Sequence, residues 1–280
     1  MPFKALDIKI LDLVIQIVNY KTKKYLTDCV DSVIHDLENT NISYKILILD
    51  NNSGDDFRDL EEKYKQEKVE FHYSDKNLGF GGGHNFLVKK QISKYLFIFN
   101  PDTITEKGAI KTLFDFMEEH QESGMCGPRV LLPEKIFFWH KNIFWPKQFV
   151  FKEFFERFFK IKIFKKVNYL EFDPIVGSAL FVRREAFEKV RGFDENLFLY
   201  FEERDLCNSL KKEGYKIFFV YDAVITHFYG KSDSSKKEKV EYFKQSRRYF
   251  YKKWYGKKKQ IKMLEKEESP SNDRHLEKVL

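Results

Sequence analysis

Residues 11–18 form an almost unbroken aliphatic run, the pattern of a strand buried on both faces of a parallel sheet. The period then changes. Leu26, Cys29, Val30, Val33, Ile34 and Leu37 recur at spacings of three and four, which predicts a helix over residues 25–39. Apolar runs at 44–49 and 69–73 predict two more strands, with a charged helix over 56–68 between them. A glycine cluster follows, then a helix from about His84, a strand over 95–99 and a helix over 106–119. Strand and helix alternating in this way predict an α/β fold with a Rossmann-like, mostly parallel central sheet flanked by helices and joined by right-handed crossovers.

The second half is less regular. Residues 136–172 are crowded with aromatics and lysines. A strand is predicted over 174–182, a short helix over 184–190, a helix over 203–213 with Gly214 as its C-cap, and a strand over 216–220. A basic helix over 237–255 and a polar tail over 269–280 complete the chain. Without an internal repeat or a Gly/Ser linker, the expected organisation is one main domain over 1–235, a basic, aromatic helical region over 236–268 and the tail.

Composition narrows the classes. Hydrophobic residues make up 42% of the 280 and aromatics 17%, enough for a packed core. The formal net charge of +7 gathers in 160–166 and 236–262, which suits an anionic partner: nucleic acid, an anionic membrane face or a phosphorylated substrate. No nucleic-acid recognition motif accompanies the lysines, and they fall outside the predicted sheet tips, so no nucleic acid is expected. Cys29, Cys126 and Cys207 stand apart, without a CxxC pair, which fits a reducing compartment and a cytoplasmic location. No run approaches the roughly 20 apolar residues of a spanning helix. The expectation is a soluble protein or one on a membrane surface.

In parallel α/β sheets ligands bind beyond the carboxyl ends of the strands. Those ends carry Asn19, Asp50, residues 74–83, and Asn100 to Asp102. In "YLFIFNPDTIT" the rigid Pro101 sets Asp102 at a fixed angle just past a strand tip, where a carboxylate either ligates Mg2+ or Mn2+ or caps the next helix. "NLGFGGGHN" is either a plain glycine turn or a backbone cradle for a nucleotide; it lacks the GK[ST] of a P-loop. In "FLYFEERDL", Glu202, Glu203 and Asp205 follow aromatic residues, an arrangement that serves as a helix cap or as a desolvated general base. His227 in "VITHFYG" is a core histidine or a metal ligand.

Taken in order, "VNYKTKKYLTDCVDSV", "ILDNNSGDD", "NLGFGGGHNFL", "FNPDT", "VGSALFVRREAFEKVRGFDENLFLYFEERDLCNSL" and "HFYGKS" resemble the family 2 glycosyltransferases of GT-A fold, in particular the rhamnosyltransferase-like branch. The resemblance spans residues 11–232, more loosely over 131–172. It implies a nucleotide-binding half over about 8–125 and an acceptor half over 126–235. Val18, Asn19 and Tyr20 would line the nucleotide pocket, Asp50 would bond the base or ribose with Asn51 and Asn52 nearby, and Asn77, Gly79 and Gly81 would wrap the nucleotide. Asp102 would be the metal-binding acid of a DXD-like motif in which Asn100 replaces the first Asp. His227 would be the second metal ligand, and Gly177 and Ser178 would shape the sugar and acceptor pocket. Glu202-Glu203 stands where the family has Glu-Asp, so Glu203 takes the catalytic-base position with one more methylene, and Asp205 would be a supporting acid.

The implied reaction is an inverting, metal-dependent transfer of a sugar from a nucleotide-sugar donor to a glycan or lipid-linked glycan of a bacterial surface. The branch suggests dTDP-rhamnose; the alternatives are a UDP-hexose donor, or a non-catalytic protein that binds nucleotide sugars or nucleic acid. One segment points to peripheral membrane contact. In residues 149–166, Phe151, Phe154, Phe155, Phe158 and Phe159 share one helical face, with Lys162, Lys165 and Lys166 nearby. Packing on the core explains that face equally well.

Overall fold

The computed structural model describes residues 10–133, 168–172, 176–228 and 236–267, with side chains to residue 256. The expectations for residues 149–166 and for the tail lie outside the described residues. The elements run β1 (Leu11–Asn19), α1 (Lys23–Leu37), β2 (Tyr44–Asp50), α2 (Arg58–Lys63), β3 (Val69–Tyr73), α3 (Gly79–Val88), β4 (Ser93–Phe99), β5 (Thr103–Thr105), α4 (Ala109–Glu119), β6 (Ser123–Leu131), β7 (Tyr169–Glu171), β8 (Ala179–Arg183), α5 (Arg184–Lys189), α6 (Glu202–Lys212), β9 (Lys216–His227) and α7 (Lys236–Glu267). α7 breaks at Gly256, which has a left-handed φ of 74°.

One sheet carries the strands in the order β3-β2-β1-β4-β8-β6-β9-β5, with β7 also on β9. β3, β2, β1 and β4 pair in parallel, as the aliphatic runs predict. Beyond β4 the pairing turns mixed: β8 is antiparallel to both β4 and β6, while β6 and β9 are parallel. Each buried strand feeds two cores. Leu13, Ile15 and Ile17 of β1 face α1, α2 and α4 with Ile46, Ile48, Phe97 and Phe99. Val14, Leu47, Leu49, Leu96 and Ile98 face α3, α5 and α6 on the other side. The result is three layers, helix on sheet on helix.

Two polar side chains inside these layers set helix ends. Asp36, on α1, accepts hydrogen bonds from the Gly108 and Ile110 amides and so caps α4. Arg183 closes the other end of α4, donating to the Met117 and His120 carbonyls at 2.9 and 3.2 Å. Asp102 therefore has no part in capping α4, the alternative its sequence position left open.

Three of the element boundaries that differ from the sequence expectation have a visible cause. α3 begins at Gly79 rather than near His84, because side chains satisfy its first amides: Asn51 Oδ1 accepts from Leu78 N–H at 2.8 Å, and Asn77 Oδ1 from Gly79 N–H at 2.9 Å. β8 begins at Ala179, leaving Gly177 and Ser178 in a turn before it. β9 continues past Val220 to His227, because residues 221–223 bulge between two stretches paired with β6.

Gly79 has a φ of +73°, and a Cβ there would lie 2.4 Å from the Phe198 carbonyl oxygen. Strain and overlap act together, so Gly79→Ala should destabilise the protein by about 1–3 kcal/mol or more in denaturant titrations. A neutral substitution would show that this loop docks elsewhere.

Candidate active site

The strand tips predicted to hold a ligand do lie together. At the end of β1, Asn19 is opposite Asp50 of β2. Asn19 Nδ2 reaches Asp55 Oδ2 at 3.0 Å and Ser53 Oγ at 3.3 Å, while its Oδ1 accepts from the Thr22 amide and hydroxyl. One oxygen of Asp50 accepts from the Ser53 amide and hydroxyl. Asn51 Nδ2 donates to Asn77 Oδ1 at 3.0 Å and to the Gly79 carbonyl at 3.1 Å. Asn51 thus staples the glycine stretch to β2. Tyr20 and Val18 are half-buried beside this network, and Asn52 is exposed at a φ of 60°.

Two of the glycines pack against protein on their Cβ side. The side-chain space of Gly79 is taken by Phe198, and that of Gly81 by Phe193, whose Cβ lies 2.8 Å from where a Gly81 Cβ would stand. The glycines there let the 193–198 loop approach closely. His84 is likewise interior, its Nδ1 3.2 Å from Gln16 Oε1, and burial lowers its pKa to about 3.

Asp102 and His227 meet because β5 pairs antiparallel with the end of β9. Thr103 is opposite His227, Phe228 N–H donates to the Asp102 carbonyl at 2.9 Å, and Asp102 Oδ1 comes to 3.1 Å from His227 Nε2. Both side chains are buried. One carboxylate oxygen and one imidazole nitrogen side by side form a donor set that fits a divalent ion of the Mn2+ type. Among the described residues no group of three or more His, Cys, Asp or Glu gathers, so any ion here would need ligands from a substrate or water as well.

The acidic pair reaches the same end of the sheet through the turn before β8. The Asn100 amide donates to the Ser178 carbonyl at 3.0 Å, and a Cβ on Gly177 would lie 3.7–3.8 Å from Glu203 Cβ, Cγ and Cδ. Gly177–Ser178 therefore lies between Asn100 at the β4 tip and Glu203, with no room to spare on the Glu203 side beyond a methyl group. Ser178 Oγ is buried with no hydrogen-bond partner among the described residues.

The structure separates the two glutamates. Glu203 is half-buried against Gly177; burial raises its pKa and Arg204 pulls it partly back. Glu202 is 3% exposed, and its Oε1 has no partner among the described residues. Burial, and then the Glu203 carboxylate, push Glu202 well above the usual carboxylate range. Asp205 turns from the pair towards α7, where Trp254 Nε1 donates to it at 2.7 Å and Lys253 Nζ at 2.8 Å. Sequence reasoning missed Lys253 and Trp254, whose lysine-rich surroundings carry no motif.

Strain marks the segment that carries the pair. Tyr200 and Phe201 both adopt left-handed φ, 73° and 72°. Two such non-glycine residues cost on the order of 1–2 kcal/mol each. Phe201 recovers it by packing at 5.3 Å between ring centroids on both Phe243 and Phe250 of α7, each pair giving about 0.5–1.5 kcal/mol beyond burial. α7 is thus the element against which the strained turn is held.

Against known proteins, residues 14–191 match the family model described as glycosyl transferase family 2. The chain belongs to that family. Among curated relatives, the Mycobacterium tuberculosis N-acetylglucosaminyl-diphospho-decaprenol L-rhamnosyltransferase is 27% identical over 180 residues, covering 54% of this chain and 56% of that protein. The Haloferax volcanii low-salt glycan biosynthesis hexosyltransferase Agl10 is 23% identical over 210 residues, covering 74% of this chain and 64% of that protein. The chain thus spans between half and two thirds of the length of these relatives. Two solved structures share the fold: GalNAc-T7 with UDP, GalNAc and Mn2+ (TM-score 0.61, 15% identity, 88% of this chain and 50% of that one), and S. aureus TarS in complex with UDP (0.57, 13%, 86% and 72%). The architecture is the GT-A fold of glycosyltransferases. Glu203, His227 and α7 lie beyond the family match.

Glu202 gives a testable pH effect. Its raised pKa means that the folded state holds the proton more tightly than the unfolded chain does. That stabilisation is fully present below the unfolded value of about 4.5 and is lost as pH rises through the folded pKa. Glu202→Gln mimics the protonated form, so its Tm should exceed the wild type's at pH 8 and match it near pH 4. A lower Tm at pH 8 would show that Glu202 is ionised and paired.

Proposed function

We propose that this protein is an inverting glycosyltransferase that moves a sugar from a nucleoside diphosphate to a hydroxyl, with a divalent ion at Asp102 and His227 and with Glu203 as base. The observation that carries the proposal is the shared position of Asp102, His227 and Glu203 around the Gly177–Ser178 turn. Breaking the bond between the anomeric carbon and the diphosphate leaves negative charge on phosphate, which an ion held there would stabilise as a Lewis acid. The acceptor oxygen forms the new bond to that carbon, and its proton passes to Glu203. Burial keeps Glu203 basic enough for the task. Asn19, Tyr20, Asp50 and Asn77 stand at the nucleotide end, with Asn51 holding the loop behind them.

The donor we favour is dTDP-rhamnose, with a lipid-linked glycan as acceptor, because the tuberculosis relative is named as a rhamnosyltransferase acting on a diphospho-decaprenol sugar. A UDP-hexose is the second reading. The Haloferax hexosyltransferase covers more of this chain, and both structural neighbours hold UDP. Among the described residues no helix is long and apolar enough to cross a membrane.

A thermal-shift panel of dTDP-rhamnose, UDP-glucose, UDP-galactose and UDP-N-acetylglucosamine, with and without Mn2+, reads the donor, since a bound ligand raises Tm. Turnover of the stabilising donor then separates an enzyme from a binder. Glu203→Gln should lower kcat by about 10²–10⁴-fold with the thermal shift retained. Asp102→Ala and His227→Ala should abolish the Mn2+-dependent part of the shift. Full activity of Glu203→Gln, or of the wild type in EDTA, would contradict these assignments.

A further inference from the structure

We propose that Lys253 and Trp254 are positioning residues for Glu203: from α7 they clamp the 194–205 segment at both ends and so fix where the base stands. The inference rests on the glycosyl-transfer reading and adds to it a part of the chain outside the family match. Lys253 Nζ lies 2.8 Å from Asp194 and 2.8 Å from Asp205. These two carboxylates bracket the acid-bearing turn. Tyr249 donates to Asp194 at 2.9 Å and Trp254 Nε1 to Asp205 at 2.7 Å. Between the anchors, Ser246 Oγ donates to the Leu199 carbonyl at 2.8 Å, and Leu197 and Phe201 pack on Phe250.

The chemistry of the two ends explains why the clamp is needed. Asp205 is 3% exposed, and a buried carboxylate is tolerated only with donors in place. Burial works against the charge of Asp194, but hydrogen bonds from Lys253, Asn196 and Tyr249 prevail and hold its pKa at about 2. Both ends are therefore bound to one lysine. Asp205 N–H in turn donates to the Phe201 carbonyl at 2.9 Å, which closes the first turn of α6 around Glu202 and Glu203. A Cβ at Gly177 would stand at van der Waals distance from Glu203, so a shift of the turn moves the carboxylate relative to the Gly177–Ser178 turn.

The test compares full-length Lys253→Met and Lys253→Arg, with Lys252→Met as a control on the exposed face of α7. Hydrogen exchange of the amides of 199–206 is read by mass spectrometry. kcat, KM and the pH profile of kcat are read with the donor that the wild type turns over. Lys253→Met should speed exchange and lower kcat, each by about tenfold or more, with KM within about threefold and the acid limb of the profile displaced. Lys253→Arg should restore both, and Lys252→Met should change neither. Should Lys253→Met fail to fold, Trp254→Phe keeps the ring and removes only the indole N–H, and the same outcomes apply. Unchanged exchange in an active enzyme overturns the clamp. Faster exchange with unchanged kcat below the variant's Tm overturns the positioning role. A wild type that turns over none of the donors overturns the glycosyl-transfer reading, and the kinetic role falls with it.

Discussion

The antiparallel register of β5 on β9 is the constraint on which the site depends. Thr103 opposite His227 brings Asp102, in the turn just before β5, beside the end of β9, where the Phe228 amide bonds the Asp102 carbonyl and the carboxylate and imidazole come to 3.1 Å. A different register of β5 on β9 would carry the imidazole away from the carboxylate. That register is secured on the far edge as well, because β9 resumes pairing with β6 at Val224, Ile225 and Thr226 after its bulge. Thr226 Oγ1 adds a hydrogen bond to Glu106 at 3.1 Å, just beyond β5. Asp102 and His227, 125 residues apart in the chain, are thus brought together by sheet geometry.

Around this fixed pair the molecule divides its labour. The N-terminal half is a parallel sheet with short polar networks at its tips: Asn19 on Ser53 and Asp55, Asn51 on Asn77 and Gly79. The acidic half is built differently. Its turn sits in unfavourable backbone conformations and is held by aromatic packing and ion pairs from α7. Strain kept in place by surrounding contacts is a recurrent property of functional segments. Here it coincides with the residue proposed to take the acceptor proton.

Much of this was legible in the chain. Continuous aliphatic runs mark β1, β2 and β4, and the carboxyl-end rule points to Asn19, Asp50 and Asp102 at their tips. Other features were not legible, for identifiable reasons. The glycine stretch looks like an open loop, yet Asn51 and Asn77 supply the missing caps and turn it into the first turn of α3. β9 looks as if it ends at Val220 because a bulge interrupts its pairing. Asp205 looks like part of an acidic trio, yet a helical turn carries it to the side facing α7, and nothing local announces a lysine 48 residues downstream. Long-range partners of charged residues leave no periodic trace.

The central claim is that Asp102, His227 and Glu203 serve one bound nucleotide sugar. Its most direct test is an anomalous diffraction map from crystals soaked with Mn2+ and the nucleoside diphosphate of the stabilising donor. The account predicts a manganese peak contacting both Asp102 Oδ1 and His227 Nε2, with the diphosphate completing its shell and Glu203 facing the terminal phosphate across Gly177. A peak elsewhere, or a diphosphate bound at the other end of the sheet, would contradict it.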